Sequence, residues 1–193
     1  MEIDNFPMPA MEMNSGTEGF MNPEKTLSEF GIQPGMTIAD FGCGTGHVGI
    51  LIAQRVGENG KVFAIDIMED KLDSIRTHAK AVGLKNLETI RANLEVLGGT
   101  KLADQSQDMT VLVNILFQSQ KKSDILKESY RVLKQGGFLV VIDWKIGVGG
   151  FGPPDNLRTD ENTMRLLITG EGLVFEKGID AGQFHFGMKF KKP

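Results

Sequence analysis

A single cysteine, Cys43, leaves no partner for an internal disulfide and no thiol cluster for a metal. Such sparse usage suits a reducing cytoplasm, the expected location. His47, His78 and His185 are the only histidines, and no two stand at metal-ligand spacing, so no metal is expected. No run approaches the roughly 18 apolar residues of a membrane span. The opening Met1-Glu-Ile-Asp-Asn-Phe-Pro lacks the basic start and apolar stretch of a secretory signal. Positive charge is also in short supply. With 21 Lys and Arg against 25 Asp and Glu the formal charge is -4, so neither nucleic acid nor an anionic membrane is an expected partner.

What is present suits one globular domain: 193 residues, 40% apolar and 24% charged. Residues 1–22 hold five methionines and little periodicity, and read as a flexible arm before a domain at 23–193. A short helix is predicted over 24–30, opened by Pro23 and stopped by Gly31. An alternation follows. Strands are predicted at 36–41, 61–66, 87–91, 108–116 and 138–144. Helices fall between them, with buried stripes Val48, Leu51, Ile52 and Val56, then Leu72, Ile75, Ala79 and Val82, then Ile125, Ser129, Val132 and Leu133. Residues 94–107 read as loop with at most a short helix. The repeated β-α unit argues for a parallel sheet with helices on both faces. The end of the chain differs. A Gly/Pro loop at 147–154 precedes a helix at 159–169 opened by Thr159, then strands at 173–179 and 183–191 around a tight Asp180-Ala-Gly182 turn.

The strongest local signal is Ile38-Ala-Asp40-Phe-Gly42-Cys-Gly44-Thr-Gly46-His-Val-Gly49, between the first strand and its helix. Glycines there let a ligand approach backbone and helix N-terminal amides closely. Gly44 to Gly49 matches the dinucleotide fingerprint GxGxxG, a weak signal alone. The register Asp40-x-Gly42-x-Gly44-x-Gly46 places a carboxylate at the loop entrance, which suits an ammonium and opposes a diphosphate. Asp66 closes the second strand, where a carboxylate can accept from two ribose hydroxyls; that supports an adenosine ligand without distinguishing NAD from other adenosine cofactors.

With these residues in view, the chain resembles the class I S-adenosylmethionine (SAM)-dependent methyltransferases, in the small-molecule branch similar to the quinone-biosynthesis enzymes. The glycine loop, Val62-Phe-Ala-Ile-Asp66, the run from Asp104 through Asp108 into Asn114, and Arg131-Val-Leu-Lys-Gln-Gly-Gly-Phe-Leu-Val-Val-Ile-Asp143 carry the likeness. It implies a doubly wound, seven-stranded, mostly parallel α/β sheet in the order 3-2-1-4-5-7-6, with strand 7 antiparallel. SAM is the implied cofactor. Gly42, Gly44 and Gly46, with Asp40, Phe41 and Cys43, would line its methionine part, and Asp66 would hold the ribose. Ile67, Met68 and Leu94 would flank the adenine. Asn93 stands where many relatives carry an acid for the adenine amino group, and Asn114 would face the methyl donor and acceptor.

The expected activity is in-line methyl transfer to an uncharged or anionic small molecule. The alternatives are a SAM-binding protein without catalysis, a methyltransferase acting on protein or RNA, and a nucleotide-dependent oxidoreductase. His47, Asn114 and Asp143 are the candidates for chemistry beyond alignment. Trp144 and Lys145 end the fifth strand, at the edge where α/β sheets bind ligands, and are candidates for the acceptor pocket. Cys43 reads as structural filler. Gly152-Pro-Pro-Asp155 reads as a rigid loop, and Lys121-Lys122 as a solvated helix entrance.

Overall fold

The computed structural model describes residues 21–149 and 151–193; most of the predicted arm, residues 1–20, lies outside them. In chain order the elements are α1 (Pro23–Ser28), β1 (Thr37–Phe41), α2 (His47–Val56), β2 (Lys61–Asp66), α3 (Glu69–Ala81), β3 (Leu87–Arg91), β4 (Gln107–Val113), α4 (Lys122–Val132), β5 (Leu133–Trp144), α5 (Glu161–Gly170), β6 (Val174–Ile179) and β7 (His185–Lys191). The sheet order is β3-β2-β1-β4-β5-β7-β6. β1 to β5 pair in parallel, and β7 runs antiparallel between β5 and β6. The expected sheet is the observed one.

Strand alternation assigns the two faces. Ile38, Met109, Val111, Val140 and Ile142 point to the face carrying α1 and α2, where Phe30, Ile52 and Val56 are buried. Ala39, Phe41, Leu112, Leu139, Val141, Met188 and Phe190 point to the other, packed against Leu126, Val132, Met164 and Ile168. β4 and β5 therefore read as unbroken apolar runs, as strands covered on both faces must. Each fully buried Leu, Ile or Phe contributes on the order of 1.5–3 kcal/mol.

Several details differ from expectation. Met21 is buried, and Asn22 caps α1 through its side-chain oxygen on the Lys25 N–H, so packing begins inside the predicted arm. In α3 Leu72, Ile75 and Ala79 are buried, but Val82, past the last turn, is exposed. α5 is capped by Asp160 accepting from the Thr163 N–H at 3.0 Å, one residue beyond Thr159. β5 begins at Leu133 because the ladder continues through a register shift at the Gly136-Gly137 turn. The β6–β7 connection spans 180–184, wider than a tight turn, and is fastened to α1. Lys25 pairs with Asp180 at 2.7 Å, Thr26 donates to the Asp180 carbonyl at 3.0 Å, and the Asp180 N–H donates to Glu29 at 3.2 Å.

Residues 94–106 form no helix, and Glu128 of α4 holds them. Its fully buried carboxylate accepts from the N–H groups of Gly98 (2.7 Å) and Thr100 (3.2 Å), the Thr100 hydroxyl, and the Arg131 guanidinium (2.8 and 2.9 Å). Burial alone would raise its pKa. The bonds from Arg131, Thr100 and Gly98 outweigh it and hold Glu128 down at about 2. At the entrance of α4, Lys122 is half-buried and donates to the Ser119 carbonyl at 2.6 Å, so only Lys121 fits the solvated reading.

A candidate cofactor cradle and acceptor edge

The loop after β1 turns sharply because Gly42 and Cys43 both donate their N–H to the Ile65 carbonyl, at 2.7 and 3.0 Å, tying it to β2. Gly42 and Gly46 have positive φ, and a Cβ on either would run into Ile115 or Ile75 respectively. Gly44 also has positive φ, yet a Cβ there would meet nothing within 4 Å. Two glycines are thus demanded by packing, and the one between them faces open space. That is the form of a cradle for a ligand against the backbone. α2 has Gly46 as its N-cap residue and so no side-chain cap, leaving its first N–H groups without that partner.

Asp40 lies beneath this loop. It is buried, and its Oδ2 has no hydrogen-bond partner. Burial, reinforced by the nearby Asp66, pushes its pKa up to about 7. Asp66, at the end of β2, accepts from the Gly44 N–H through Oδ2 and from the Met68 N–H through Oδ1, both at 3.0 Å. It therefore fixes the middle glycine while each oxygen keeps a free lone pair for a ligand hydroxyl. Beyond it Ile67 and Met68 are 56% and 41% exposed, a bare apolar ledge, while Leu94 is buried. Asn93 is exposed, and its side-chain oxygen already accepts from the Glu95 N–H at 2.9 Å. Asn114 follows β4 with φ 55°, a left-handed conformation that Asn tolerates better than most residues, and its Oδ1 is buried without a partner.

The other candidates divide. Phe41 is buried on the face opposite Asp40, in the core that contains α4. Cys43 is buried, and burial together with Asp40 and Asp66 drives its thiol pKa upward, so it is no nucleophile. His47 is exposed on the first turn of α2. Asp143 points to the α4 face, opposite Asp40. Its two oxygens accept from the N–H groups of Phe117 (3.0 Å) and Trp144 (2.8 Å), so it ties the β4–α4 connection to β5. Burial raises its pKa to about 6, with those two bonds and Lys122 opposing. Trp144 is buried at the carboxyl end of β5, whereas Lys145 spends its ammonium on the Gly182 carbonyl at 3.2 Å. Among the described residues no group of three His, Cys, Asp or Glu side chains is placed to hold a metal ion.

Two residues escaped sequence reasoning. His185, the first residue of β7, is buried against Trp144, with ring centroids 4.1 Å apart. Arg158 organises the loop that covers them. The usable signal was topological: an antiparallel strand returning beside β5 must begin at the edge where β5 ends.

A sheet of this order, with a glycine cradle at the first crossover and a carboxylate closing β2, defines the Rossmann-like methyltransferase fold. The chain belongs to the methyltransferase domain family, whose model matches residues 32–165. It is similar to the demethylmenaquinone methyltransferase of Lactococcus lactis, 33% identical over 119 residues, covering 62% of this chain and 46% of that protein. An arsenite methyltransferase of Halobacterium salinarum is 26% identical over 141 residues, covering 73% of this chain and 34% of that protein. The chain thus spans less than half the length of either relative. A SAM-dependent methyltransferase from Aquifex aeolicus superimposes with a TM-score of 0.83 at 29% identity, covering 90% of this chain and 91% of that one. No helix among the described residues is long and apolar enough to cross a membrane.

Proposed function

We propose that this chain binds SAM and transfers its methyl group to a small-molecule acceptor in the cytoplasm. One observation carries the reading: the glycine loop leaves open space at Gly44, and two buried oxygens at the same edge of the sheet, Asp40 Oδ2 and Asn114 Oδ1, have no partners. An ammonium and a sulfonium meet that need, and a diphosphate does not. Asp40 would hold the ammonium, Asp66 the ribose hydroxyls, and Ile67, Met68 and Leu94 the adenine. Asn93, already engaged with Glu95, would give adenine a weaker contact than an acid. Asn114 would stand beside the reacting centre. When bound, the sulfonium supplies an electrophilic methyl group whose departure requires no acid. The residues then need only align the acceptor and exclude water, and alignment can supply roughly 7–11 kcal/mol.

A small-molecule acceptor is supported by the named relatives and by the net charge of -4. Arsenite is disfavoured, because thiol capture needs several cysteines and Cys43 is alone and buried. The cytoplasmic setting is supported by the same cysteine usage. Calorimetric titration with SAM and with its demethylated product tests the cofactor, and silence at millimolar ligand sinks it. Radiolabelled SAM in cell extract tests the acceptor: label in a small metabolite supports the reading, and label in RNA or protein overturns it. Asp66→Ala is expected to weaken SAM binding by about 1–3 kcal/mol, the range for a charged hydrogen-bond partner. Unchanged affinity would remove Asp66 from the site.

A further inference from the structure

Among the described residues, seven buried side-chain polar atoms lack hydrogen-bond partners. Arg55 Nη1 and Gln107 Oε1 belong to the end of α2 and the start of β4, toward the amino edge of the sheet. The other five lie at the carboxyl edge and divide by character. Asn114 Oδ1, on the β1–β4 side, only accepts, as does Asp40 Oδ2 once that carboxyl is ionised. Trp144 Nε1, on the β5–β7 side, only donates, while His185 Nδ1 and Nε2 give a neutral ring one donor and one acceptor.

The fold explains the second group. Register pairs Trp144 with His185, and alternation through Asp40–Val111–Val140 puts both on the same face as Asp40. Two strand spacings separate β5 from β1, about 10 Å. Burial, followed by the charges of Arg158 and Lys145, holds the His185 pKa down at about 4, so the ring is neutral at pH 7. The cover is built as well. Arg158, its side chain 4% exposed, donates to the carbonyls of Lys145 (2.6 Å), Phe151 (2.6 Å), Pro153 (2.8 Å) and Val148 (3.3 Å) and pairs with Asp155. It thereby shapes residues 145–149 and 151–158, where Gly152 lies so close to the Trp144 ring that a Cβ would overlap it. Ile146 and Leu157 line the loop's outer surface, 47% and 36% exposed.

We propose that Trp144 and His185, beneath the loop organised by Arg158, form the acceptor subsite and take a neutral, hydroxyl-bearing ring compound. The proposal rests on the methyltransferase reading. Trp144 Nε1–H donates to the hydroxyl oxygen and the unprotonated His185 nitrogen accepts its hydrogen, meeting two of the three demands left unmet there. Arg158 and Lys145 disfavour a cationic acceptor. Arg158 holds the cover against which the ring would pack, and so acts as a positioning residue.

Trp144 is the only tryptophan, so its emission reports this site directly. Phenol, toluene and benzylammonium are titrated into the full chain, with and without demethylated SAM, while Trp144 emission and the ¹⁵N shifts of His185 are followed. Phenol is expected to bind roughly tenfold more tightly than toluene, and benzylammonium weakest. In His185→Phe the phenol preference is expected to fall to within about twofold with toluene binding retained, and His185→Gln, which keeps a donor and an acceptor, should restore it. Equal binding of phenol and toluene to the wild type, or a preference that survives in His185→Phe, would overturn the subsite. Normal SAM binding beside an absent phenol preference sinks the subsite alone. A silent SAM titration beside an intact preference sinks the methyltransferase reading alone.

Discussion

Replacing Glu128 with alanine is expected to cost about 3–5 kcal/mol, the penalty for breaking a buried ion pair by removing one member. The carboxylate is fully buried and gathers N–H groups of two loop residues, a hydroxyl and a guanidinium, so its loss leaves several donors facing a cavity at once. For a domain of this size each kcal/mol lowers Tm by roughly 2–4 °C. A fall of about 10 °C by calorimetry is therefore anticipated, and a change under 2 °C would refute the account. Glu128→Leu with Arg131→Met should recover only part of the loss, because the backbone N–H groups of Gly98 and Thr100 stay orphaned in either variant. The pH dependence has a definite sign. With its folded pKa near 2, below the ordinary 4.5, Glu128 stabilises the fold above about pH 4.5. That contribution drains away as pH falls toward 2.

Asp40→Asn should move binding and stability in opposite directions. Loss of a buried carboxylate that meets an ammonium is expected to weaken SAM by about 2–5 kcal/mol. In the ligand-free wild type, the pKa raised to about 7 means that charging Asp40 erodes stability as pH climbs from about 4 through 7. Between pH 4 and pH 8 the stability difference should therefore shift toward the Asn variant by roughly 2–4 kcal/mol. Pairing with the ammonium lowers the Asp40 pKa again, so SAM binding near pH 6 should release close to one proton. Calorimetry in buffers of different ionisation enthalpy measures that release. Binding with no proton release and no loss in the variant would dissociate Asp40 from the ligand.

Much of this molecule was legible in its sequence, for identifiable reasons. The strand positions follow from apolar runs punctuated by glycine, and the cradle from Asp40, Gly42, Gly44 and Gly46, where backbone geometry leaves glycine little competition. What stayed hidden depends on burial that neighbours impose. A glutamate on a helix reads as solvent-facing until a loop folds over it, although Glu128 does share the buried face of α4 with Ile125 and Ser129. His185 reads as one more residue of a strand until register sets it against Trp144. Arg158 carries no signal in the sequence, yet four carbonyls of one loop converge on it. Asp143 is the opposite case: its position suggested chemistry, and the structure buries it with its oxygens bonded to the backbone N–H groups of Phe117 and Trp144.

The strand order also has a consequence for biosynthesis. β7, the last strand among the described residues, lies between β5 and β6 and starts beside the connection onto which α1 is fastened. While the ribosome is still making residues 185–191, β6 has no neighbour and the growing sheet ends at β5. α1 emerges before every strand of this sheet and acquires its seat among the last. Translation must therefore pass residue 191 before the domain can close, and a nascent chain stalled short of that point exposes the apolar flank of β5 to whatever chaperones attend it.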